Sequence, residues 1–392
     1  MFRLSGHVQR FAWGSHDRIP AILQQEPDGT PWAEYWLGTH PGGQAFLEDG
    51  VALQDYIAEH PHSVGAATEA AFGARLPYLI KILAASSPLS LQAHPSREQA
   101  EVGYARESLL GLPPNDPKRS YRDDWPKPEA IVALTPFDGL LGFRDPRQTA
   151  ALFEGLGVAE ELQSVIGPLR DRCPSPALQE VFLDVLSLDE RRHLVDVVLA
   201  AAVNMLEAPG ELGEFARTAV ELDEHFPGDP GILAALLLNR FHLEPGQAVA
   251  LEAGIMHAYL RGTGVEIMAN SDNVMRGGLT QKHIDVDGLL TVVKFEAQEA
   301  NLLVAEGSDG VYVYPTSFPE FELWLISPNE GSSVAVPRTD SGRIALVTSG
   351  TFTLVGDDGD HVLTSGQAVF IPADEQVVAS GQGQMFLAAS GA

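Results

Sequence analysis

The sequence predicts a mainly β chain broken by a helical insertion, with related β-barrels on either side of the break. Three observations carry this. From about 301 to the end, apolar and polar residues alternate between Gly-rich turns, as in "GRIALVTSGTFTLVGDDGDHVLTSGQAVFIPAD", the two-residue period of a barrel or sandwich. From Asp145 the period becomes helical: Leu152 and Leu156, then Leu162, Val165, Ile166 and Leu169, then Leu194, Val197, Val198, Ala201 and Met205. Finally, "GQAVALEAGIMHA" from Gly246 is echoed by "GQAVFIPADEQVV" from Gly366. Val377 falls where the first copy has His257, so two related barrels are expected, with a metal ligand only in the first. The boundaries are 1–145 together with 229–300, then 146–228, then 301–392.

Taken in order, residues 1–50 are rich in Gly, Trp and His and read as short strands and loops. The Ala-rich stretch 63–75 reads as helix. "LPYLIKILAASSPLSLQAHP" reads as two strands about a Ser-Ser-Pro turn. Residues 96–110 read as a helix capped by Ser96, with Glu98 in its first turn. "LPPNDPKRSYRDDWPKP" is a loop dense in Pro and charge, and "EAIVALTPFDGLLGF" returns to strand. In the insertion, Asp189 is the expected cap of one helix, and another spans about 211–225 before Pro227-Gly228. A strand-like run from Ala248, a turn at Gly254 and His257 three residues later aim an imidazole inward. Gln92 and His94 lie two apart, on one face of an extended segment.

Composition excludes several classes of function. The 392 residues exceed one simple core, so two or three domains are expected. A net charge of −28 argues against nucleic acid and anionic membranes as partners. The single cysteine, Cys173, supplies no internal disulfide and suits a reducing cytoplasm. No signal peptide or membrane span is legible, so a cytoplasmic monomer is the expectation.

Gly246…Glu252-Ala253-Gly254-Ile255-Met256-His257 resembles the second cupin motif, and Gln92-x-His94 the paired ligands of the first. More specifically, "FAWGS", "AEYWLGTHP", "LSLQAHPS", "KPEAIVAL", "MHAYLRG" and "VEIMANSDNVMRGGLTQKHID" resemble the type I mannose-6-phosphate isomerase (phosphomannose isomerase) family. The blocks span 11–285. The resemblance implies a catalytic cupin (jelly-roll barrel) interrupted by a helical insert, then a second cupin. Two departures stand out. Trp125-Pro126 precedes Lys127-Pro128-Glu129 where the family has a His, and Glu252 replaces the family's Pro.

The resemblance carries metal-ligand roles onto Gln92, His94, Glu129 and His257. Two imidazoles, a carboxylate and an amide oxygen suit one Zn²⁺ per chain, although two His and a carboxylate also resemble a non-haem iron site. The implied reaction interconverts mannose 6-phosphate and fructose 6-phosphate through an enediol(ate). It needs stabilisation of charge developing on oxygen and a base that reaches both C1 and C2. Lys127, Glu266, Asp272 and Arg276 match the family's catalytic blocks. Lys282, Tyr259 and Ser90 are the expected substrate contacts. Glu266 and Asp272 alternatively brace His257 or Arg276, and the proton-transfer base stays open. Trp13, Trp32 and Trp36 are expected to pack rather than to stack on sugar, and Glu34 is left without a role. The competing functions are an iron-dependent cupin oxygenase and a non-catalytic sugar-phosphate binder.

Overall fold

The computed structural model describes residues 1–187, 192–357 and 359–392. It is mainly β, with helices concentrated between Pro146 and Leu236. Two large sheets carry the strands. In each the pairing order runs from one edge strand to another, so the pairing itself shows open sheets rather than closed barrels.

The first sheet is organised on two long strands, Tyr78–Ala85 and His257–Ala269, paired antiparallel from Gly262↔Ala85 to Ala269↔Tyr78. Glu129–Ala133 pairs with the other edge of His257–Ala269. Tyr78–Ala85 is buried throughout its length, which is why its sequence is a continuous apolar run rather than an alternating one. The exception is Lys81, opposite Glu266 in the register. Two polar residues opposed across a pair point to the same face. That face becomes the floor of the site.

The second sheet is built on Arg343–Gly356 and Val378–Ala389. The N-terminal strand Phe2–Ser5 crosses to it, with Phe2 opposite Phe370. The repeated Gly-Gln-Ala-Val segments open equivalent strands, Gln247–Leu251 and Ala368–Ile371. Each follows a glycine at positive φ, Gly246 (91°) and Gly366 (83°), a conformation other residues adopt only at a cost.

The helices lie between the strands Phe137–Phe143 and Leu238–Leu243, which pair with each other directly. The chain therefore leaves and re-enters the first sheet through one hairpin. Asp145 caps the first helix, Pro146–Leu156, by accepting from the Arg147 and Gln148 amides. The helices bury one apolar stripe each; Phe153 meets Phe215 edge-on at 5.1 Å. Gly210–His225 ends just before Pro227-Gly228. The expected cap Asp189 lies outside the described residues. Helix Arg97–Leu109 begins in a capping box closed by Ser96 and Gln99, so Gln99 rather than Glu98 completes the cap. No described helix is long and apolar enough to cross a membrane.

Candidate metal centre and active site

Three chain segments converge on one point. Gly254, at φ 83°, donates its amide to the His94 carbonyl at 2.8 Å, which docks the turn before His257 onto the Gln92–His94 segment. His257 lies opposite Gln92 in the register. Glu129 enters from the neighbouring strand. His94, Glu129 and His257 bring their ligand atoms within 4.8 Å of one another, all three buried. Glu129 Oε2 lies 3.4 Å from His94 Nε2 and 3.6 Å from His257 Nε2.

The imidazole tautomers follow from their partners. His94 Nδ1–H donates to the Asn273 carbonyl at 2.7 Å, and His257 Nδ1–H to the Ile255 carbonyl at 3.0 Å. Each ring is thereby fixed with its Nε2 lone pair directed at the cluster. Both Nε2 atoms are buried without a hydrogen-bond partner. Burial, then the other nearby charges, pushes both imidazoles down, His257 to about 4. Burial raises the Glu129 carboxyl, but the Lys127 ammonium and the two histidines outweigh it and hold it well below the usual carboxylate range. Two neutral imidazoles and an ionised carboxylate are the protonation states that metal binding requires. Orphaned, pre-oriented nitrogen donors beside a carboxylate fit a borderline divalent ion such as zinc.

A cavity of about 560 Å³ opens over this cluster, and Gln92 and Glu129 line it. Lys127 also lines it and pairs with Glu129 Oε1 at 2.9 Å. Tyr259 Oη–H donates to Glu266 Oε1 at 2.8 Å. Glu266 Oε2 lies 2.5 Å from Lys81 Nζ, which also donates to Glu34 Oε1 at 3.0 Å. Two carboxylates thus share one ammonium. Burial raises the Glu266 carboxyl to about 7, with Glu129 and Glu34 adding to the effect against Lys81. Burial alone would push Lys81 down, but Glu266 and Glu34 prevail and keep it charged.

The remaining expected residues lie along the cavity wall. Arg276 and Lys282 flank the Gly277-Gly278 turn, whose amide and carbonyl bond the Leu91 backbone. A side chain at Gly278 would meet the Gly231 Cα at 2.7 Å, so the turn admits only glycine there. Arg276 carries no ion pair among the described residues, and burial followed by Arg122 lowers its pKa. Lys282 stands exposed at the rim, its pKa lowered by burial and then by Arg276. Ser90 lines the cavity beside them. Asp272 faces His40 Nε2 at 3.4 Å. Neither Glu266 nor Asp272 braces His257 or Arg276: their partners are Tyr259 and Lys81, and His40.

Sequence reading missed Lys81, His40 and Asn273. Lys81 had a signal, a lone lysine inside an apolar strand, since a buried ammonium needs acidic partners. Glu34 is one such partner. Asn273, fully buried, pins His94 through its carbonyl while its side chain bonds the Arg122–Trp125 loop. Of the tryptophans, Trp32 is packed beneath Arg10, whereas Trp13 and Trp36 line the cavity. Trp125, in the departure before Lys127, is buried with the guanidiniums of Arg75 and Arg97 over its ring at 4.2 and 4.1 Å. Glu252 is exposed, as a turn residue can be without altering the site.

Comparison with known proteins agrees with this geometry. Residues 1–146 match the family model for the phosphomannose isomerase type I catalytic domain. The chain is 34% identical to the mannose-6-phosphate isomerase of Escherichia coli K12 over 98% of both chains. It is 32% identical to the human enzyme of that name, covering 96% of this chain and 94% of that one. A crystal structure of mannose 6-phosphate isomerase bound with zinc and yttrium superposes with a TM-score of 0.90 at 32% identity, covering 100% of this chain and 99% of that one. With a matching fold along its whole length, this chain belongs to the type I mannose-6-phosphate isomerase family.

Proposed function

We propose that this cavity interconverts mannose 6-phosphate and fructose 6-phosphate through an enediol(ate). The observation that carries the reading is the buried His94–Glu129–His257 cluster, whose Glu129 lines a cavity that Arg276 and Lys282 also line without an ion pair among the described residues. Gln92, His94, Glu129 and His257 would hold one zinc ion. Bound there, zinc supplies Lewis-acid stabilisation of the negative charge that develops on substrate oxygen.

The chain's own groups do the rest. Glu266, its carboxyl raised to about 7, is in the range an acid–base group needs, and we assign it the proton moved between C1 and C2. Tyr259 and Lys81 hold that carboxyl in place. Lys127 sits beside Glu129 and offers a proton donor to a substrate oxygen. Arg276, half-buried and without an ion pair among the described residues, stabilises the enediolate, because a guanidinium stays charged and holds two oxygens in a plane. Lys282 and Ser90 take the phosphate at the mouth. Asp272, oriented by His40, receives a sugar hydroxyl. The long-range repulsion of an anion by a chain at −28 is screened over a Debye length of about 8 Å, so these local cations decide binding.

In this reading 1–145 with 229–300 form a catalytic cupin, 146–228 a helical unit that walls the cavity through His225, and 301–392 a second cupin-like barrel without ligands. The chain acts as a monomer in the cytoplasm. An oxygenase and a non-catalytic binder are disfavoured, since relatives along the whole chain are isomerases by name. A coupled assay on mannose 6-phosphate tests the function: turnover abolished by a chelator supports it. Binding without turnover in the zinc-loaded protein contradicts it.

A further inference from the structure

The turn that carries Arg276 and Lys282 is held from two sides. On one side the Gly277 N–H donates to the Leu91 carbonyl at 2.8 Å, and the Leu91 N–H to the Gly278 carbonyl at 3.1 Å. On the other side lies helix Gly231–Leu236, every residue of which is buried. A side chain added at Gly231 would run into the Leu279 amide nitrogen and meet the Gly278 Cα at 2.9 Å. One added at Gly277 would meet Met256 Cε at 2.6 Å and the Phe182 ring at 3.2 Å. Gly231 is a helical residue without a positive φ, so its own backbone does not demand glycine. The approach of the turn does.

Leu279 adds a second observation. Among the described residues, the non-glycine positions with positive φ are Gln24, Leu279 and Asp309, each at 54°. Gln24 and Asp309 are exposed, whereas Leu279 is 1% exposed. A leucine has no local reason to adopt the left-handed region, so its surroundings must hold it there. Its side chain belongs to the apolar core that contains Phe182 and Ile232–Leu236, and its amide rests against Gly231. Arg276 lies three residues before it and Lys282 three after, and neither has an ion pair among the described residues to fix its place. The backbone of the turn therefore sets where both cations stand in the cavity. We infer that Gly231 and Leu279 are positioning residues: helix Gly231–Leu236 seats the turn and the core around it anchors Leu279, so that the helices set the reach of Arg276 and Lys282 toward substrate. The role of those cations rests on the isomerase reading above.

Gly231→Ala and Leu279→Ala test this in the zinc-loaded protein. The first displaces the turn, and the second releases it. Phe153→Ala, which removes the contact with Phe215 inside the helical core, supplies a purely structural loss for comparison. Calorimetric titration with sorbitol 6-phosphate, which has no carbonyl to isomerise, reads the cations without turnover. Both turn variants should bind it about tenfold more weakly or worse, and should lower kcat on mannose 6-phosphate by roughly ten- to a hundredfold. Each should still bind one zinc ion per chain. Alanine is the better helix former, so Gly231→Ala should keep the wild-type far-ultraviolet circular dichroism. Phe153→Ala should lower Tm yet keep wild-type affinity and kcat. Wild-type affinity and kcat in Gly231→Ala overturn the inference, and so does an equal loss of affinity in Phe153→Ala. If Gly231→Ala does not fold, Leu279→Ala decides on the same terms. Turnover by the wild type tests the isomerase reading, whereas the difference in binding between variant and wild type tests the inference, so the two fail separately.

Discussion

The two halves of this chain begin a strand with the same four residues and then diverge. After Gly246 the chain delivers His257, whose Nε2 is buried and unpaired. After Gly366 it delivers Val377, buried in an apolar cluster with Phe352, Leu363 and Met385. Buried charge differs in the same way. In the second half, Arg343 is fully buried, and its terminal nitrogens donate to the carbonyls of Pro337, Pro372 and Glu375. That is structural use of a charge, held by backbone carbonyls, with the Arg343 Nε left without a partner. In the first half, His94, Glu129 and His257 are packed together with both histidine Nε2 atoms unpaired, and Glu129, Lys81 and Glu266 line a cavity. The lesson is that a shared backbone pattern sets where a side chain points, and the residue type placed there decides which copy can do chemistry.

The largest effect should come from the first half's histidines. His94→Ala or His257→Ala should lose zinc and lower kcat by at least about a thousandfold. Val377→Ala should leave turnover intact and cost about 2 kcal/mol of stability, read by denaturant unfolding. A Val377→Ala enzyme as inactive as His257→Ala would break the comparison. Glu266→Gln should follow, with kcat reduced roughly a few hundredfold. In the wild type, kcat/KM should decline as pH drops below about 7, where the carboxyl takes up its proton. The variant should lack that limb, and a variant profile that keeps it would assign the titration elsewhere.

Arg276→Ala should lower kcat about a hundredfold with KM little changed, whereas Lys282→Ala should chiefly raise KM. Steady-state kinetics that reverse this pattern would exchange the two roles. A smaller effect concerns pH and the metal-free protein. His257 titrates at about 4 when folded, against the ordinary 6.5. The unfolded chain therefore binds the proton first as pH falls. The stability contributed by the neutral imidazole is full above about 6.5 and is lost as pH falls toward about 4. His257→Gln should flatten that slope in chelated protein, followed by thermal unfolding.

Much of this was legible in the sequence because periodicity and spacing report backbone direction. The switch to helical spacing at Asp145 coincides with the observed helices, and the two-residue offset of Gln92 and His94 puts one on the cavity wall and the other in the buried cluster. What was not legible depends on contacts between distant strands. Lys81 meets Glu34 across 47 positions and Glu266 across a strand pair. His40 reaches Asp272 only after the fold is closed. The capping partner Gln99, rather than Glu98, depends on one residue's geometry at a helix start. Tryptophan shows the same limit: Trp32 and Trp36 are both mostly buried, yet only Trp36 also borders the cavity.

The most direct test of the central claim is a titration of chelated, folded protein with zinc, in which bound metal and isomerase turnover on mannose 6-phosphate are read on the same samples. Turnover should rise in proportion to bound zinc and level off at one ion per chain, with the far-ultraviolet circular dichroism unchanged throughout. Full turnover before any metal is bound, or activity that rises only with a second ion, would contradict the account.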